Sequence, residues 1–149
     1  MDIRKCQERG AQLFASGYNC AQATCAALAP AFGVDEVTAL KAAAMFGGGV
    51  ARTGGLCGAV SGALMALGFR YATAETSGDI KAALYERGRA FMEAFERENG
   101  STVCRDLIGC DLSTAEGRAS SAARNTHGLI CTKLVRDAIG LALEEQLQP

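Results

Sequence analysis

The chain has 149 residues, seven cysteines, no tryptophan, and 15 basic against 16 acidic side chains. That length suits one cysteine-rich domain, residues 1–149, able to bury roughly two thirds of its unfolded surface without covalent staples. A net charge of −1 gives no overall field for nucleic acid or anionic lipid, and abundant Ala and Gly with few aromatics favours close-packed helices over a β-sandwich.

The first residues, Met1-Asp2-Ile3-Arg4-Lys5, lack the apolar core of a secretory signal, so a cytoplasmic location with reduced thiols is expected. Asp2 to Ser16 reads as a helix with Ile3, Cys6, Gly10, Leu13 and Phe14 on one stripe and Gly17 as its stop. Cys6 on that stripe reads as a small core side chain. Asn19 is a natural N-cap for a second helix that begins at Cys20. Cys25 lies about 140° round that helix from Cys20, so the two should face different surroundings, and Cys25 is assigned to the core.

Pro30 and Gly33 end that helix. Asp35 and Glu36 start another, expected to run through Leu40 and Ala44 to Phe46 and to stop at Gly47-Gly48-Gly49. Gly49 to Gly54 has the glycine spacing of a phosphate loop, but Gly55-Leu56 stands where the Lys-Ser/Thr pair must follow, so the nucleotide reading fails. The uncharged stretch from Thr53 to Phe69, bracketed by Arg52 and Arg70, is the expected central helix. It is shorter than a membrane span requires. Gly58, Ala59, Gly62, Ala63 and Ala66 give it a surface that lets neighbouring backbones approach, although each interior Gly costs about 1 kcal/mol relative to Ala.

Asp79 is the expected cap of a long structural helix to Asn99, with Leu84, Gly88, Phe91, Met92 and Phe95 facing inward and Gly100 past its end. Ser101-Thr102 should cap a short turn holding Cys104, Leu107 and Ile108, closed by Gly109 before Cys110. Ser113 to Glu116 has capping-box spacing, but residues 117–127 are weakly patterned and read as partly irregular. His127, the one histidine, precedes Cys131-Thr132, which opens the final helix. In this reading Cys20, Cys57, Cys104 and Cys131 all fall at helix N-termini, where free N–H groups favour thiolate over thiol. Four thiolates are also the number that completes an iron–sulfur or tetrahedral zinc site, whereas buried structural cysteines account for the same count without any site.

The motifs Tyr18-Asn19-Cys20-Ala21-Gln22, Phe46-Gly47-Gly48-Gly49, Gly54 to Ala63, Cys104 to Leu112 and Cys131 to Val135 follow in order. In this the chain resembles the bacterial and archaeal C_GCAxxG_C_C family, small helical proteins regarded as redox-active, whose related domains accompany electron-transfer modules. The resemblance implies that Cys20, Cys57, Cys104 and Cys131 are the signature cysteines, with Cys110 as a candidate fifth. One departure stands out: the family label has Gly before Cys, whereas this chain reads Cys57-Gly58, an exchange worth about 100° on a helix.

The expected protein is therefore an all-α single-domain bundle of six to seven helices around a central small-residue helix. Cys20, Cys57, Cys104 and Cys131 converge in it, either as ligands of an iron–sulfur cluster or as thiols in thiol–disulfide exchange, making it an oxidoreductase or an electron-transfer protein. Gly54, Gly55, Gly58 and Gly62 would let a cofactor approach the backbone. A redox partner protein is expected, no nucleic acid and no membrane span, and the small-residue helix suits packing against a second copy as well as within one chain. The alternative is a zinc-binding structural or interaction module whose cysteines are not redox-active. A third reading, a hydrolytic or transfer enzyme with one activated cysteine, requires His127 as its base.

Overall fold

The computed structural model describes residues 2–146, which form eight α-helices. Helix α1, Ile3–Ala15, is capped by the Asp2 carboxylate on the Lys5 N–H and ends at Gly17, whose φ of +108° suits a residue without Cβ. Helix α2, Cys20–Leu28, begins with a full capping box: Asn19 accepts from the Gln22 N–H and Gln22 accepts from the Asn19 N–H. It runs into a 3-10 turn over Ala29–Phe32 and stops at Gly33 in the left-handed region.

Helix α3 is Glu36–Ala42, four residues shorter than its sequence pattern predicts. The reason is non-local. Gln22 Nε2 donates to the Leu40 carbonyl at 3.0 Å and Asn19 Nδ2 to the Ala44 carbonyl at 2.9 Å, so side chains of the preceding helix satisfy the carbonyls that another turn would have used.

Helix α4, Gly58–Tyr71, is the expected small-residue helix, and α2 is its principal packing partner. A Cβ on Gly62 would run into the Ala21 carbonyl oxygen, so the spacing of Gly58 and Gly62 is what lets these two backbones meet. Around the pair pack α1 and α8, Thr132–Gln146, while α5, Gly78–Asn99, leans on α4 and α8. Leu28, Val60, Phe95, Val135 and Ile139 are fully enclosed at this centre. Each such aliphatic or aromatic side chain contributes about 1.5–3 kcal/mol by leaving water.

Ser77, two residues before Asp79, caps α5 through the Ile80 N–H; Asp79 sits in the first turn, where the helix dipole favours a carboxylate. Helix α6, Cys104–Ile108, closes on Gly109. Residues 117–123, part of the stretch 117–127 expected to be partly irregular, belong to a regular helix α7, Ala115–Ala123, capped by Thr114 on the Gly117 N–H rather than by Ser113. This adds a helix to the expected number and leaves the all-α architecture as read. A single π turn, His127–Cys131, runs directly into α8. None of the described helices is long and apolar enough to cross a membrane.

Candidate functional site

The capping box at Asn19 fixes the first turn of α2 and so the direction of Cys20. Cys57 is the N-cap of α4, extended at φ −51° and ψ 132°, in the position from which a side chain turns back toward its own helix start. Cys104 opens α6. Its backbone N–H donates to the Gly55 carbonyl at 2.7 Å, while the Cys57 N–H donates to the Thr102 carbonyl at 2.7 Å, and Leu56 pairs with Val103 between them. This short ladder ties the two cysteines together across the fold. Cys131 arrives from the other side, at the last residue of the π turn. It therefore lies inside a continuous helical run rather than at a free N-terminus, which corrects the sequence reading there.

These four thiols share one electrostatic environment. Burial raises the Cys57 thiol to about 12, and the charges of Cys20 and Cys104 add to the rise against the lowering effect of the Ala59 and Val60 N–H groups. Burial likewise lifts Cys104 to about 11, with Cys20 and Cys110 adding and Arg105 opposing. Cys131 rises furthest, through burial first and then through Cys20, Cys57 and Cys104. Cys20 is raised by burial too, but the backbone N–H groups of Gly48, Ala21 and Gly58 point at its sulfur and oppose the shift. The expectation that helix N-termini would hold these groups as thiolates is thus overturned. Desolvation and mutual repulsion outweigh the N–H dipoles.

Cys20, Cys104 and Cys131 line a cleft of about 900 Å³, with Cys57 buried beside it at 4% exposure. Despite the exchanged Cys-Gly order, Cys57 is electrostatically coupled to the other three. Tyr18, Met45, Arg52, Arg118 and His127 also border the cleft, and the His127 ring packs edge-on against Phe14 at 5.5 Å. Cys110 is joined to the set through Cys104. Its sulfur donates weakly to Ser120 Oγ at 3.8 Å and accepts from Arg124 Nη1 at 3.3 Å. Cys25 is buried in the main core and Cys6 packs half-buried against it, as read from the sequence; Cys57 belongs to that core too, with Cys20 packed against it, whereas Cys104, Cys110 and Cys131 form a second cluster.

Of the four glycines singled out in the sequence, Gly58 is nearest the cysteines: a Cβ there would run into the Cys20 sulfur. Gly54 and Gly55 hold α6 through the Arg105 and Cys104 N–H groups, and Arg105 Nη2 donates to the Thr53 carbonyl at 3.0 Å. The missing side chain of Gly62 admits α2.

In the sequence, Gly47-Gly48-Gly49 reads as a helix stop and Gly49 to Gly54 as a glycine-spaced loop that is not a phosphate loop. In the structure this stretch forms a tight left-handed turn. Gly48, Gly49, Val50, Ala51 and Arg52 have φ of 64°, 70°, 67°, 49° and 64° in succession. For residues with side chains this hand costs roughly 1–2 kcal/mol each. No local signal marks Val, Ala or Arg for it; the run of three glycines before them was the only hint.

Among the described residues, no three His, Cys, Asp or Glu side chains are arranged to hold a metal ion as they stand. The chemistry of the donors nevertheless fits an iron–sulfur cluster: four thiols from four segments, backbone N–H groups aimed at two of the sulfurs, and no Cβ at Gly58 to fill the space beside Cys20.

The family model described as "Putative redox-active protein (C_GCAxxG_C_C)" matches residues 18–145. The chain belongs to this family. Cys20, Cys57, Cys104 and Cys131 lie within the matched span, and so does the left-handed turn. Comparisons with curated proteins and with solved structures give no significant match.

Proposed function

We propose that Cys20, Cys57, Cys104 and Cys131 are the redox centre of this protein and hold an iron–sulfur cluster that passes electrons to and from a partner protein. What supports the reading is that Cys20 makes Cys57, Cys104 and Cys131 harder to ionise, and that Cys20, Cys104 and Cys131 line one cleft with Cys57 buried beside it. Thiols so placed stay protonated on their own, and a positive metal centre among them would stabilise their thiolate form. A bound cluster supplies one-electron transfer at a potential that the protein tunes.

The chain's own residues would do the rest. Each cysteine gives up its proton when it becomes a ligand, so cluster binding is strongly pH-dependent. The backbone N–H groups of Gly48, Ala21 and Gly58 lower the Cys20 pKa against burial, and those of Ala59 and Val60 lower that of Cys57, so they would stabilise the negative charge of a ligating sulfur. The cleft leaves Cys20, Cys104 and Cys131 at its surface, within a short path of a docked partner.

A second reading is thiol–disulfide exchange, in which two of these cysteines lose two protons and two electrons to form a disulfide. What favours it is that no three side chains close on one metal position among the described residues; the same observation weighs against a single structural zinc, which needs four ligands around one point. High thiol pKa values make the reduced pair slow to react at neutral pH. The two readings separate on anaerobic reconstitution with ferrous iron and sulfide. The cluster reading expects uptake of both, lost in Cys20→Ser and Cys131→Ser. Failure of the wild type to take up iron, with a disulfide forming on mild oxidation, would overturn it in favour of exchange.

A further inference from the structure

The chain is almost neutral as a whole, at −1, yet the cleft that holds the cysteines is not. Arg52, Arg118 and His127 line it, and none of the described Asp or Glu side chains does. Outside the cleft Arg9, Lys133 and Arg136 are each paired with a carboxylate, Glu36, Asp137 and Glu8. The cations of the cleft are not. Arg118 donates to the Leu112 carbonyl at 3.0 Å, and the exposed Arg52 guanidinium has no hydrogen-bond or ion-pair partner among the described residues. The carboxylates nearest in sequence face elsewhere. Asp111 accepts from Ser113 in its own loop, and Glu116, two residues before Arg118 on α7, lies about 200° round that helix from it.

The rim is apolar as well as basic. Tyr18 and Met45 line the cleft, Val50 stands between its lining residues Gly48 and Ala51, and Leu129 follows Gly128. These are four of the seven large apolar side chains that the described residues leave exposed, with Met45 at 78% and Leu129 at 72%. Single exposed apolar residues are ordinary, but several gathered at one place mark an interaction surface. Cys20, Cys104 and Cys131 line the same cleft.

We infer that the mouth of this cleft is the docking surface for a small acidic electron-carrier protein, whose carboxylates meet Arg52 and Arg118 and whose apolar contact patch meets Met45 and Leu129. The inference rests on the redox reading of the four cysteines given above. In the exchange the carrier's reduced iron–sulfur or flavin centre loses one electron and the cysteine centre gains it, with no bond made or broken. Charges at a rim act mainly on encounter: they speed association with an oppositely charged partner, and salt removes the effect. A small rim of this kind suits the weak, short-lived interfaces of electron-transfer pairs. A second copy of this chain fits less well, because a symmetric contact would set each basic rim against the other.

Stopped-flow electron exchange, followed in the downhill direction, tests this with a plant-type ferredoxin as the acidic carrier and cytochrome c as a cationic one. Rates are read at low ionic strength and in about 1 M salt, where the Debye length falls to about 3 Å, on variants whose visible spectrum matches the wild type. The ferredoxin rate should fall with salt and the cytochrome c rate should not. At low ionic strength Arg52→Glu should slow ferredoxin about threefold and Arg52→Glu with Arg118→Glu about tenfold, whereas Lys81→Glu, the same change of charge on α5, should change the rate less than twofold. If the double variant does not fold, Arg52→Glu decides alone, since its side chain bonds to nothing in the described protein. Equal effects of Arg52→Glu and Lys81→Glu, or a cytochrome c rate that falls with salt as the ferredoxin rate does, overturn the inference. A dimer in sedimentation that Arg52→Glu dissociates overturns it in favour of a second copy. A wild type with no reducible centre overturns the redox reading itself, and this inference with it.

Discussion

Helix α2 carries two cysteines in two kinds of surroundings. Cys25, in its middle, is fully enclosed beside α4 and is raised to about 11 by burial alone. Cys20, at its first residue, is partly exposed at the cleft, receives backbone N–H groups from Gly48, Ala21 and Gly58, and raises the pKa of Cys57, Cys104 and Cys131. The same side chain is thus a filler of space at one position and a member of a coupled set of thiols five residues away. Burial by itself does not make a site; coupling to other thiols and to aimed donors does.

The sharpest way to break this comparison is to change each cysteine separately. Cys20→Ser should abolish the redox signal, whereas Cys25→Ala should keep it and lose about 1–2 kcal/mol of stability, measured by denaturant unfolding. Equal loss of signal in both variants would remove the distinction. Next in size is the α2–α4 crossing. Gly62→Ala places a methyl group against the Ala21 carbonyl and should cost about 1–3 kcal/mol, lowering the melting temperature by several degrees while the folded fraction keeps its redox signal.

Acid–base linkage sharpens the same contrast. The thiols of the metal-free protein are raised above their ordinary value of 9.0, Cys104 to about 11 and Cys57 to about 12. Above pH 9 the unfolded chain therefore releases protons that the folded chain still holds, so stability falls as pH rises. Urea unfolding of the metal-free protein should be flat below pH 9 in this respect and weaken between about pH 9 and 12. Cys57→Ala should reduce the slope more than Cys6→Ala. The smallest expected effect lies in the core beside Cys25. Thr24 is fully buried and its hydroxyl finds no hydrogen-bond partner. Thr24→Val should stabilise the protein by about 1 kcal/mol in the same unfolding measurement and leave the redox centre untouched.

These contrasts also separate what a reader of the chain can and cannot see. Asn19 as a cap, Asp2 and Asp35 at helix starts and Gly17, Gly33, Gly100 and Gly109 as stops are local signals, and each marks its boundary in the structure, with Asp2 and Asp35 as the capping residues. The ordered motifs that carry the family resemblance contain Cys20, Cys57, Cys104 and Cys131. Features decided by distant groups were hidden. The early end of α3 depends on Asn19 and Gln22 of another helix. The left-handed turn depends on hydrogen bonds between residues three to six apart and on close packing against Cys104. Thiol ionisation went the other way from the helix-terminus argument because that argument counts nearby N–H groups but not the water lost on burial or the charge of the other cysteines. Gly58 and Gly62 look alike in sequence, yet one faces a sulfur and the other a helix backbone.

The central claim is that the four coupled cysteines, and not the cysteines of the core, form the redox centre. The most direct test is the visible absorption spectrum of protein isolated without oxygen, recorded before and after dithionite, for wild type, Cys20→Ser and Cys25→Ala. The account predicts thiolate-to-iron bands between roughly 320 and 600 nm that bleach on reduction in wild type and Cys25→Ala and are missing in Cys20→Ser. A spectrum that Cys20→Ser retains in full, or that Cys25→Ala loses, would contradict it.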